Sequence, residues 1–446
     1  MFNRGGEDAN VVSLDWELSR REGAQQHIRV ALVGAGVTAR MVALHLLDPP
    51  IPGMRLVAIT NRTVANAVEV FRDAGIDARC VDSRAQLEDE VARLRPVVVE
   101  DPQLICEAAN VDVVIEATGD VEFGAGVAMA AIRHRKHVIL LNAELDATVG
   151  PILKFHADRA GVVITNTDGD EPGVAMNLLR YVRTIGLKPV AAGNLKGLLD
   201  RYRTPDTQRD FAAQWGQNPV KVTSFADGTK LSMEAVILAN ATGFKVGRRG
   251  MYGPRCTHVR DIAGQLPSDA MLSDGLVDYA LGAEPHTGAF VIVHEDHPKK
   301  RQELAYFKMG DGPFYVFYTP YHLPYIQVVS TIARAVLAGD ATVAPLGAPV
   351  CQVATVAKRD LKADEVLDGV GGFMTYGVID NAAAVTSTNA LPMGLSSGCR
   401  LSRDVAKDAT VSWADVTVPP VRVCDNLWKE QAERLCNATV VPPVAR

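Results

Sequence analysis

The sequence lacks the features that mark several special classes of protein. Its seven cysteines are scattered and odd in number, and none form a Cys-x-x-Cys pair, which argues against a disulfide framework or a zinc knuckle and favours a reducing compartment. No apolar run reaches the roughly 18 residues of a membrane span, and the N-terminus lacks the apolar core of a signal peptide. These absences predict a cytoplasmic protein.

The chain also lacks the charge pattern of a nucleic-acid-binding protein. Its formal net charge is −6, and no basic run is long enough to indicate a nucleic-acid surface. We find no internal repeat. A length of 446 residues with 48% hydrophobic and 22% charged residues is typical of an ordinary soluble protein with several domains.

Apolar runs alternate with helical patterns between residues 26 and 165. This alternation predicts right-handed crossovers and a doubly wound parallel sheet, hence an α/β fold. Beyond it we expect an α+β segment with one strong helix that starts at Asp227-Gly228-Thr229, then short strands and turns, and a last helix over 425–435. The predicted divisions are 1–25 (an N-terminal arm), 26–165, 166–340, 341–420 and 421–446.

A glycine-rich turn follows the first predicted strand. In IRVALVGAGVTARMVALHLL (residues 28–47), Gly34 permits a sharp turn and Gly36 lets the backbone approach a pyrophosphate. Ala39, where the fingerprint has its third glycine, is small enough for close packing of helix on strand. The helix N-terminus favours the negative charge of the pyrophosphate. The motif predicts a Rossmann-type dinucleotide site, and the alternative is a strand–turn–helix unit without a ligand.

Asn61 and Arg62 indicate which dinucleotide binds. NAD enzymes usually carry an acidic residue at the end of the second strand, where it binds the ribose 2′-hydroxyl. Here the strand RLVAITNRT ends without a carboxylate and offers Arg62. We therefore predict NADP(H), with Asn61 and Arg62 at the 2′-phosphate. Thr118 and Gly119 follow another strand at the same predicted edge of the sheet, where ligands bind.

An acidic turn leaves the last strand of this sheet. Asp168, Asp170 and Glu171 lie within four residues, and three carboxylates so close repel one another unless a cation intervenes. Mg²⁺ favours oxygen ligands of this kind. The turn therefore predicts a metal or acid–base site. An equally good interpretation is a solvated turn in which Asp170 caps the next helix and Pro172 occupies its first turn.

Lysines in the middle segment are candidates for polarising a carbonyl group. Lys196 lies among glycines in GNLKG, although a plain surface lysine fits there too. Lys230 and Glu234 are four residues apart on a helix and share a face, with Asn240 close to the same face. The alternatives are a solvated salt bridge and a site in which Glu234 holds Lys230.

Four further residues are candidates for binding a substrate oxygen or phosphate. Tyr318 and His322 flank a Thr-Pro turn in an aromatic stretch that is otherwise typical of core packing. Arg201 and Arg203 lie on a loop, where arginine forks suit phosphate oxygens. A hydrated loop is the alternative for both arginines.

Together these segments resemble the homoserine-dehydrogenase-like oxidoreductases that carry a C-terminal SAF-like module. The resemblance covers residues 28–380 and is carried by VALVGAGVTAR, VIEATGD, LLNAELDATVGPIL, NTDGDEPG, GNLKG, DGTKLSMEAVILANATG and VATVAKRDLKADEVLDGVGG. One departure is Asn142-Ala143-Glu144, where homoserine dehydrogenases have an Asn-Lys pair, so homoserine oxidation is not expected. Within the group, the sequence is most similar to the type II deoxyxylulose-5-phosphate reductoisomerase-like enzymes.

That resemblance implies an NADPH-dependent conversion of 1-deoxy-D-xylulose 5-phosphate to 2-C-methyl-D-erythritol 4-phosphate, a step of isoprenoid precursor synthesis. It implies a divalent cation (Mg²⁺ or Mn²⁺), a catalytic and dimerisation domain over 166–340, a SAF-like β domain over 341–420, and a homodimer. The site residues then take the following expected roles: catalytic Lys196, Lys230, Glu234 and Asp170; cofactor-binding Gly34, Gly36, Ala39, Asn61, Arg62, Thr118, Gly119 and Asn142; substrate-binding Arg201, Arg203, Asn240, Tyr318 and His322; metal-binding Asp168, Asp170 and Glu171.

Two other functions remain open from the sequence. The first is a simple NADP-dependent dehydrogenase of another sugar, polyol or sugar acid, which requires no skeletal rearrangement and no metal. The second is a redox-sensing regulator that uses the nucleotide domain as a switch. The regulator is disfavoured because residues 350–420 contain no basic recognition helix and no aromatic–basic groove.

Overall fold

The computed structural model describes residues 13–436. The predicted doubly wound sheet is confirmed, and its seven parallel strands are β1 (Ile28–Val33), β2 (Met54–Thr60), β3 (Arg79–Cys80), β4 (Val97–Val99), β5 (Val113–Glu116), β6 (His137–Leu140) and β7 (Ile164–Asn166). Their order is β3-β4-β2-β1-β5-β6-β7. The chain therefore reverses direction across the sheet between β1 and β5, and ligands bind at such a switch point, beyond the carboxyl ends of the strands.

Strands β3 and β4 are additions to the five strands that the sequence predicted. They contain only two and three residues, too few for a periodic pattern. The helices of this part of the chain are α1 (Leu14–Gly23), α2 (Val37–Leu47), α3 (Val64–Asp73), α4 (Arg84–Ala92), α5 (Pro102–Glu107), α6 (Val121–Arg133) and α7 (Ala143–Ala160).

The middle of the chain forms a separate four-stranded sheet. Its elements are α8 (Glu171–Thr184), β8 (Lys188–Lys196), α9 (Arg209–Gln214), α10 (Pro219–Ala226), α11 (Thr229–Thr242), α12 (Ser268–Ser273), β9 (Leu276–Leu281), β10 (Ala289–His294), α13 (Pro298–Tyr306), β11 (Phe314–Thr319) and α14 (Val328–Ala338). The strand order is β11-β10-β8-β9, with β8 and β9 parallel and the other pairs antiparallel. Helix α11 begins at Thr229, within the predicted start Asp227-Gly228-Thr229.

The two faces of this sheet serve different cores. Helices α8 and α11 cover one face, and residues of 252–271 pack on the other. Side chains alternate between the faces along a strand, so Asn194 and Lys196 of β8 face the helices while Leu195 faces away. Helix α14 returns to the first sheet, where Val328 and Ile332 join the core beneath β1.

The C-terminal part of the described chain combines four short strands with two helices. Its elements are β12 (Cys351–Ala357), β13 (Thr375–Asn381), α15 (Ala382–Ser387), β14 (Arg400–Leu401), β15 (Val416–Thr417) and α16 (Val423–Leu435), and the strands pair as two antiparallel ribbons. Helix α16 packs on α6 and α7. Every helix within residues 13–436 is too short or too polar to span a bilayer.

Candidate active site

The glycine turn after β1 has the geometry that a dinucleotide requires. Gly34 has a φ of +113°, and a Cβ there would lie 3.2 Å from the carbonyl oxygen of Ala117. Gly36 is the N-cap of α2, and no side chain caps the helix from that position. Ala39 is fully buried against the sheet. The first amides of α2 are thus open to a phosphate, which fits the predicted cofactor.

The end of β2 is also compatible with the predicted 2′-phosphate site. The side-chain amide of Asn61 donates to the carbonyl of Thr63 at 2.9 Å, immediately before α3. Arg62 is exposed on this turn. Since residues 61–63 contain no carboxylate, the only charged side chain of the turn is a guanidinium, and its pairing with a phosphate stays a prediction.

The loop after β5 is held by a buried carboxylate. Glu116 is fully buried, and burial raises its pKa. One of its oxygens accepts the amide of Thr118 at 2.9 Å and the hydroxyl of the same residue. Gly119 follows with a φ of +69°, and Lys221 of α10 donates to the Thr118 carbonyl at 3.3 Å. Helix α10 therefore reaches the switch point of the sheet.

Asn142 connects two loops of this edge rather than facing outward. It is the N-cap of α7, where its oxygen accepts the amide of Leu145 at 3.1 Å. Its amide donates to the carbonyl of Asp120 at 3.0 Å. Because Asn142 is fully buried, its first contribution is to fix the loops on which a cofactor would rest.

A buried charge cluster lies where the middle sheet meets this edge. The ammonium of Lys196, at the end of β8, is 3.1 Å from Glu171 and 3.4 Å from Glu234. Asn194 donates to the same oxygen of Glu234 at 2.8 Å. Glu171 opens α8 and Glu234 lies within α11, so three elements that are distant in sequence contribute to one cluster.

Lys230 forms the second centre of the cluster. Its ammonium lies 3.5 Å from Glu144, in the first turn of α7. The sequence placed Lys230 and Glu234 on one helix face, and both do point into the cluster. The predicted pairing between them is wrong, however, because Glu234 binds Lys196 while Lys230 binds Glu144 of α7.

Asp170 and His322 lie at the open side of the cluster. Asp170 is the N-cap of α8, yet its side chain makes no capping hydrogen bond, so the capping interpretation does not account for its carboxylate. The ring of His322 lies 3.7 Å from Glu171 and 2.8 Å from the hydroxyl of Thr287. Asp170 is partly accessible, which leaves it within reach of a ligand.

The carboxyl groups of the cluster differ widely in pKa. Burial raises the pKa of Asp170 to about 6, although Lys230 opposes the shift. Burial, together with the charge of Glu171, raises the pKa of Glu234 to about 8. Burial acts in the same direction on Glu171, but Lys196 and His322 outweigh it and lower the pKa to about 2. Such a spread is typical of acid–base sites.

Both lysines remain protonated at neutral pH. Burial alone would lower the pKa of Lys196, but Glu171 and Glu234 raise it above its ordinary value. Burial likewise opposes the charge on Lys230, and Glu144 and Asp170 outweigh it. The two ammonium groups can therefore stabilise negative charge on a substrate oxygen.

The predicted metal ligands fall into two groups. One oxygen each from Asp170, Glu171 and Glu234 lies within 4.8 Å of the others, so this trio has the spacing of a cation site. Asp168 is wrongly placed in the prediction, since its carboxylate accepts from Ser330 at 2.9 Å, Thr331 at 3.3 Å, Arg334 at 3.3 Å, and Thr342. Hydrogen-bond donors of the protein therefore occupy the carboxylate oxygens of Asp168.

The arginines predicted to bind phosphate face a different neighbour. The guanidinium of Arg201 lies 5.6 Å from the ring centre of Tyr376. Arg203 pairs with Asp200 at 3.0 Å, and its carbonyl accepts from Lys358 at 2.7 Å. Both therefore belong to the contact with the C-terminal β elements, and the structure does not bring them to the cluster.

Two further predicted substrate residues also lie elsewhere. Tyr318 is on the face of the middle sheet opposite α11, where its ring packs 5.7 Å from that of His258. The prediction ignored the alternation of side chains along β11. The oxygen of Asn240 accepts the amides of Val350 and Cys351 at 2.7 and 3.1 Å, so this residue anchors the start of β12.

Several contributors were missed from the sequence. Asn194 could have been found from strand alternation, because it is two residues from Lys196 and must share its face. Glu144 stands out in the sequence as a departure from the homoserine dehydrogenases, with nothing to pair it with Lys230. Glu116 and Lys221 gave no sequence signal, since their role depends on contacts formed only in the folded chain.

Residues 169–328 match a family model described as "Oxidoreductase DRL, catalytic domain". The matched segment is less than half of the chain and contains Asp170, Glu171, Lys196, Lys230, Glu234 and His322. No curated protein matches the sequence.

Solved structures with detectable similarity include three oxidoreductases. An NAD binding oxidoreductase from Klebsiella pneumoniae has 20% identity over 39% of this chain and 43% of that chain, with a TM-score of 0.28. A probable dehydrogenase from Thermotoga maritima has 14% identity over 70% and 90%, with a TM-score of 0.40. A myo-inositol dehydrogenase from Lactobacillus casei, in complex with NAD(H) and myo-inositol, has 13% identity over 67% and 75%, with a TM-score of 0.37.

These TM-scores are too low to carry an argument about cofactor or substrate, and the chain spans less than half of the Klebsiella protein. The family match is the more specific finding. Together with the doubly wound sheet, it supports an oxidoreductase.

Proposed function

We propose that the protein is a nicotinamide-dependent oxidoreductase, with NADP(H) as the preferred cofactor, that acts on a hydroxyl or carbonyl group of a sugar, polyol or sugar acid. The observation that carries this proposal is the charge cluster, in which Lys196 and Lys230 meet carboxylates from three helices. The cluster adjoins the edge of the sheet that holds the glycine turn, since Glu144 belongs to the helix that follows β6.

The chain's own residues would hold the cofactor at the turn formed by Gly34 and Gly36, with Arg62 at a 2′-phosphate. The open amides of α2 support a dinucleotide, and the lack of a carboxylate after β2 supports NADP(H) over NAD(H). A bound nicotinamide would supply or accept the hydride. All the other functions that we assign belong to side chains of the cluster.

We assign Lys230 to the reacting oxygen of the substrate. Its ammonium lies 3.5 Å from one carboxyl group, whereas that of Lys196 lies 3.1 and 3.4 Å from two. Lys230 is therefore the freer of the two to turn toward a ligand. A protonated lysine polarises a carbonyl and stabilises the negative charge that develops on its oxygen.

We assign Asp170 to proton transfer. In the oxidative direction its carboxylate accepts the proton of the substrate hydroxyl, and in the reductive direction the carboxyl returns it. A pKa of about 6 lies close to neutral pH, where general acid–base catalysis is most effective. Glu234, with a pKa of about 8, stays protonated and so limits the negative charge around Lys196.

The test has a binding step and a turnover step. Calorimetry with NADPH and NADH measures whether a nicotinamide cofactor binds and which is preferred. The protein is then incubated with NADP⁺ and a panel of polyols, sugars and sugar acids while nicotinamide absorbance is followed. We expect turnover that Lys230→Met abolishes and that Lys362→Met, which removes an exposed ion pair with Asp404, leaves intact. The proposal would be overturned if neither NADPH nor NADH bound.

A second candidate is the reductoisomerase reaction on 1-deoxy-D-xylulose 5-phosphate. The observation that favours it is the spacing of Asp170, Glu171 and Glu234, because Mg²⁺ or Mn²⁺ prefers such oxygen ligands. Asp170, Glu171 and Glu234 would hold such a cation, which would supply Lewis-acid chemistry for the rearrangement. The sugar-phosphate substrate, the role in isoprenoid synthesis, the homodimer and the cytoplasmic location all stay predictions.

Chelation distinguishes the two candidates. Consumption of NADPH with deoxyxylulose phosphate and Mg²⁺, abolished by a chelator, would support the reductoisomerase. Oxidation of a polyol or sugar acid that continues in the presence of the chelator would support the dehydrogenase.

A further inference from the structure

Helix α7 contains Pro151, which has no amide hydrogen to donate to the preceding turn. A side chain of the C-terminal helix α16 contacts the helix at this point. The amide of Ile152 donates to the side-chain oxygen of Gln431 at 3.2 Å, and the side-chain amide of Gln431 donates to the carbonyl of Thr148 at 3.4 Å. One buried glutamine of α16 thus bonds to two backbone groups on either side of Pro151.

Helix α11 is held at its start by Lys358, which directly follows strand β12. The ammonium of Lys358 lies 3.0 Å from Asp227 and donates to the carbonyls of Arg203 and Gly372 at 2.7 and 2.8 Å. The other oxygen of Asp227 accepts the amide of Thr229, the first residue of α11, at 2.9 Å. Lys358 and Asp227 are both buried, and all three donors of the ammonium are used.

The backbone of β13 adds two more bonds to the same turn of α11. The amide of Gly377 donates to the hydroxyl of Thr229 at 2.8 Å, and its carbonyl accepts from Ser232 at 3.1 Å. A Cβ at Gly377 would lie 3.0 Å from Thr229 and 2.7 Å from Val353. The close approach of strand and helix therefore depends on a glycine at this position.

These contacts meet at one pair of charges. Helix α7 carries Glu144 and helix α11 carries Lys230, and the two helices pack directly on each other. The ammonium and the carboxylate lie 3.5 Å apart. The C-terminal domain, residues 351–436, thus contacts the helix that carries one charge through Gln431 and the first turn of the helix that carries the other through Lys358.

We propose that the C-terminal domain is a positioning element of the active site, with Gln431 and Lys358 as its positioning residues for the Glu144–Lys230 pair. This inference rests on the proposed function, which assigns Lys230 to the reacting oxygen. It gives the C-terminal domain a catalytic consequence without any contact between that domain and the substrate.

The experiment compares Gln431→Leu and Lys358→Met in the full chain. A displacement of a catalytic group by about 1 Å lowers kcat by up to roughly a hundredfold, so we expect kcat to fall tenfold to a hundredfold (an order-of-magnitude range from the same effect). The KM for NADPH should change less than kcat, because the glycine turn that would hold the pyrophosphate lies on β1 and α2. Lys358→Met leaves the buried charge of Asp227 without its ion-pair partner, and if this variant does not fold, Gln431→Leu carries the test.

A matched control separates positioning from general loss of stability. Lys136 is also a buried lysine that donates to two carbonyls, those of Ala108 and Val111, at 2.6 and 2.8 Å, but it precedes β6 at the opposite end of the sheet. We expect Lys136→Met to lower the Tm and to leave kcat unchanged at temperatures where the protein is folded. If Gln431→Leu behaves like this control, the inference is overturned.

A second readout does not depend on turnover. Nitrogen NMR of isotopically labelled lysine follows the titration of the Lys230 ammonium, with Lys230→Arg to identify its signal. We expect Gln431→Leu to lower the pKa of Lys230 toward its ordinary value, because Glu144 moves away from it. An unchanged titration of Lys230 would contradict the positioning role, whether or not the wild-type protein turns over a substrate. Absence of turnover in the wild-type protein would instead count against the proposed function alone.

Discussion

Asp168 and Asp170 leave the same strand end two residues apart, and their carboxylates have opposite surroundings. Asp168 points toward α14, where three hydroxyls and the guanidinium of Arg334 fill its oxygens. Asp170 points toward the charge cluster, where Lys230 is shared with Glu144 and a second carboxylate, Glu171, lies beside it. The protein supplies enough hydrogen-bond donors for the carboxylate of Asp168 but not for that of Asp170.

This difference separates a structural carboxylate from a functional one. A buried carboxylate with all its acceptors satisfied holds its neighbours in place and has nothing left to offer a ligand. Where carboxylates outnumber the cations, their pKa values are driven apart, as those of Asp170, Glu171 and Glu234 are. Such a group can exchange a proton or bind a cation or substrate near neutral pH.

The largest effect is expected from removing the cation of the functional side. Lys230→Met should lower kcat by roughly a hundredfold to a thousandfold, the usual cost of losing one group that stabilises charge in the transition state. The KM for NADPH should change little. Lys362→Met, at an exposed ion pair, is the control. Steady-state kinetics that show equal losses in both variants would contradict the assignment.

The two aspartates themselves provide the sharpest contrast. Asp170→Asn should lower kcat by roughly a hundredfold with no loss of stability, because it removes a charge that burial disfavours. Asp168→Asn should leave kcat within about twofold, as expected of a residue outside the chemistry. It should lower the free energy of unfolding by about 1–3 kcal/mol, because hydroxyl donors lose a charged partner. Denaturant unfolding and steady-state kinetics on both variants test this contrast. A loss of kcat in Asp168→Asn and a loss of stability in Asp170→Asn would contradict it.

The contrast between these aspartates was beyond reach of the sequence. Ser330, Thr331 and Thr342 approach Asp168 from more than 160 positions away, and no local pattern announces them. The sheet and the glycine turn were predictable because apolar runs and a positive φ at Gly34 are local properties. Tyr318 was misplaced for the opposite reason, since the local alternation along β11 was available and was not applied.

A smaller effect is expected at the cofactor end. Arg62→Ala should raise the KM for NADPH by roughly tenfold, since a hydrogen bond to a charged group contributes about 1.5–3 kcal/mol, while the KM for NADH should be almost unaltered. The exposed Arg72, which pairs with Glu69 on α3, provides a matched control in Arg72→Ala. Equal changes for both cofactors in Arg62→Ala would remove the argument for a 2′-phosphate.

The smallest change in maximal rate is expected for Glu234→Gln. Glutamine imitates the protonated acid, so kcat near neutral pH should fall no more than a few-fold, an order-of-magnitude expectation for an isosteric change outside the proton-transfer step. Wild-type activity should decline as the pH rises through about 8, where Glu234 ionises. The variant should lack this decline. A pH profile of kcat with its alkaline limb intact in Glu234→Gln would show that another group titrates there.

The most direct test of the account is the acid limb of the same profile, measured in the oxidative direction for the wild-type protein and for Asp170→Asn. Burial raises the pKa of Asp170 from 3.8 to about 6, so the proton-accepting form appears, and kcat rises, as the pH increases through about 6. For the same reason, the ionisation of Asp170 costs stability as the pH rises from 3.8 to about 6. The account predicts that Asp170→Asn removes the limb along with most of the activity. A variant that keeps both the limb and the rate would contradict it.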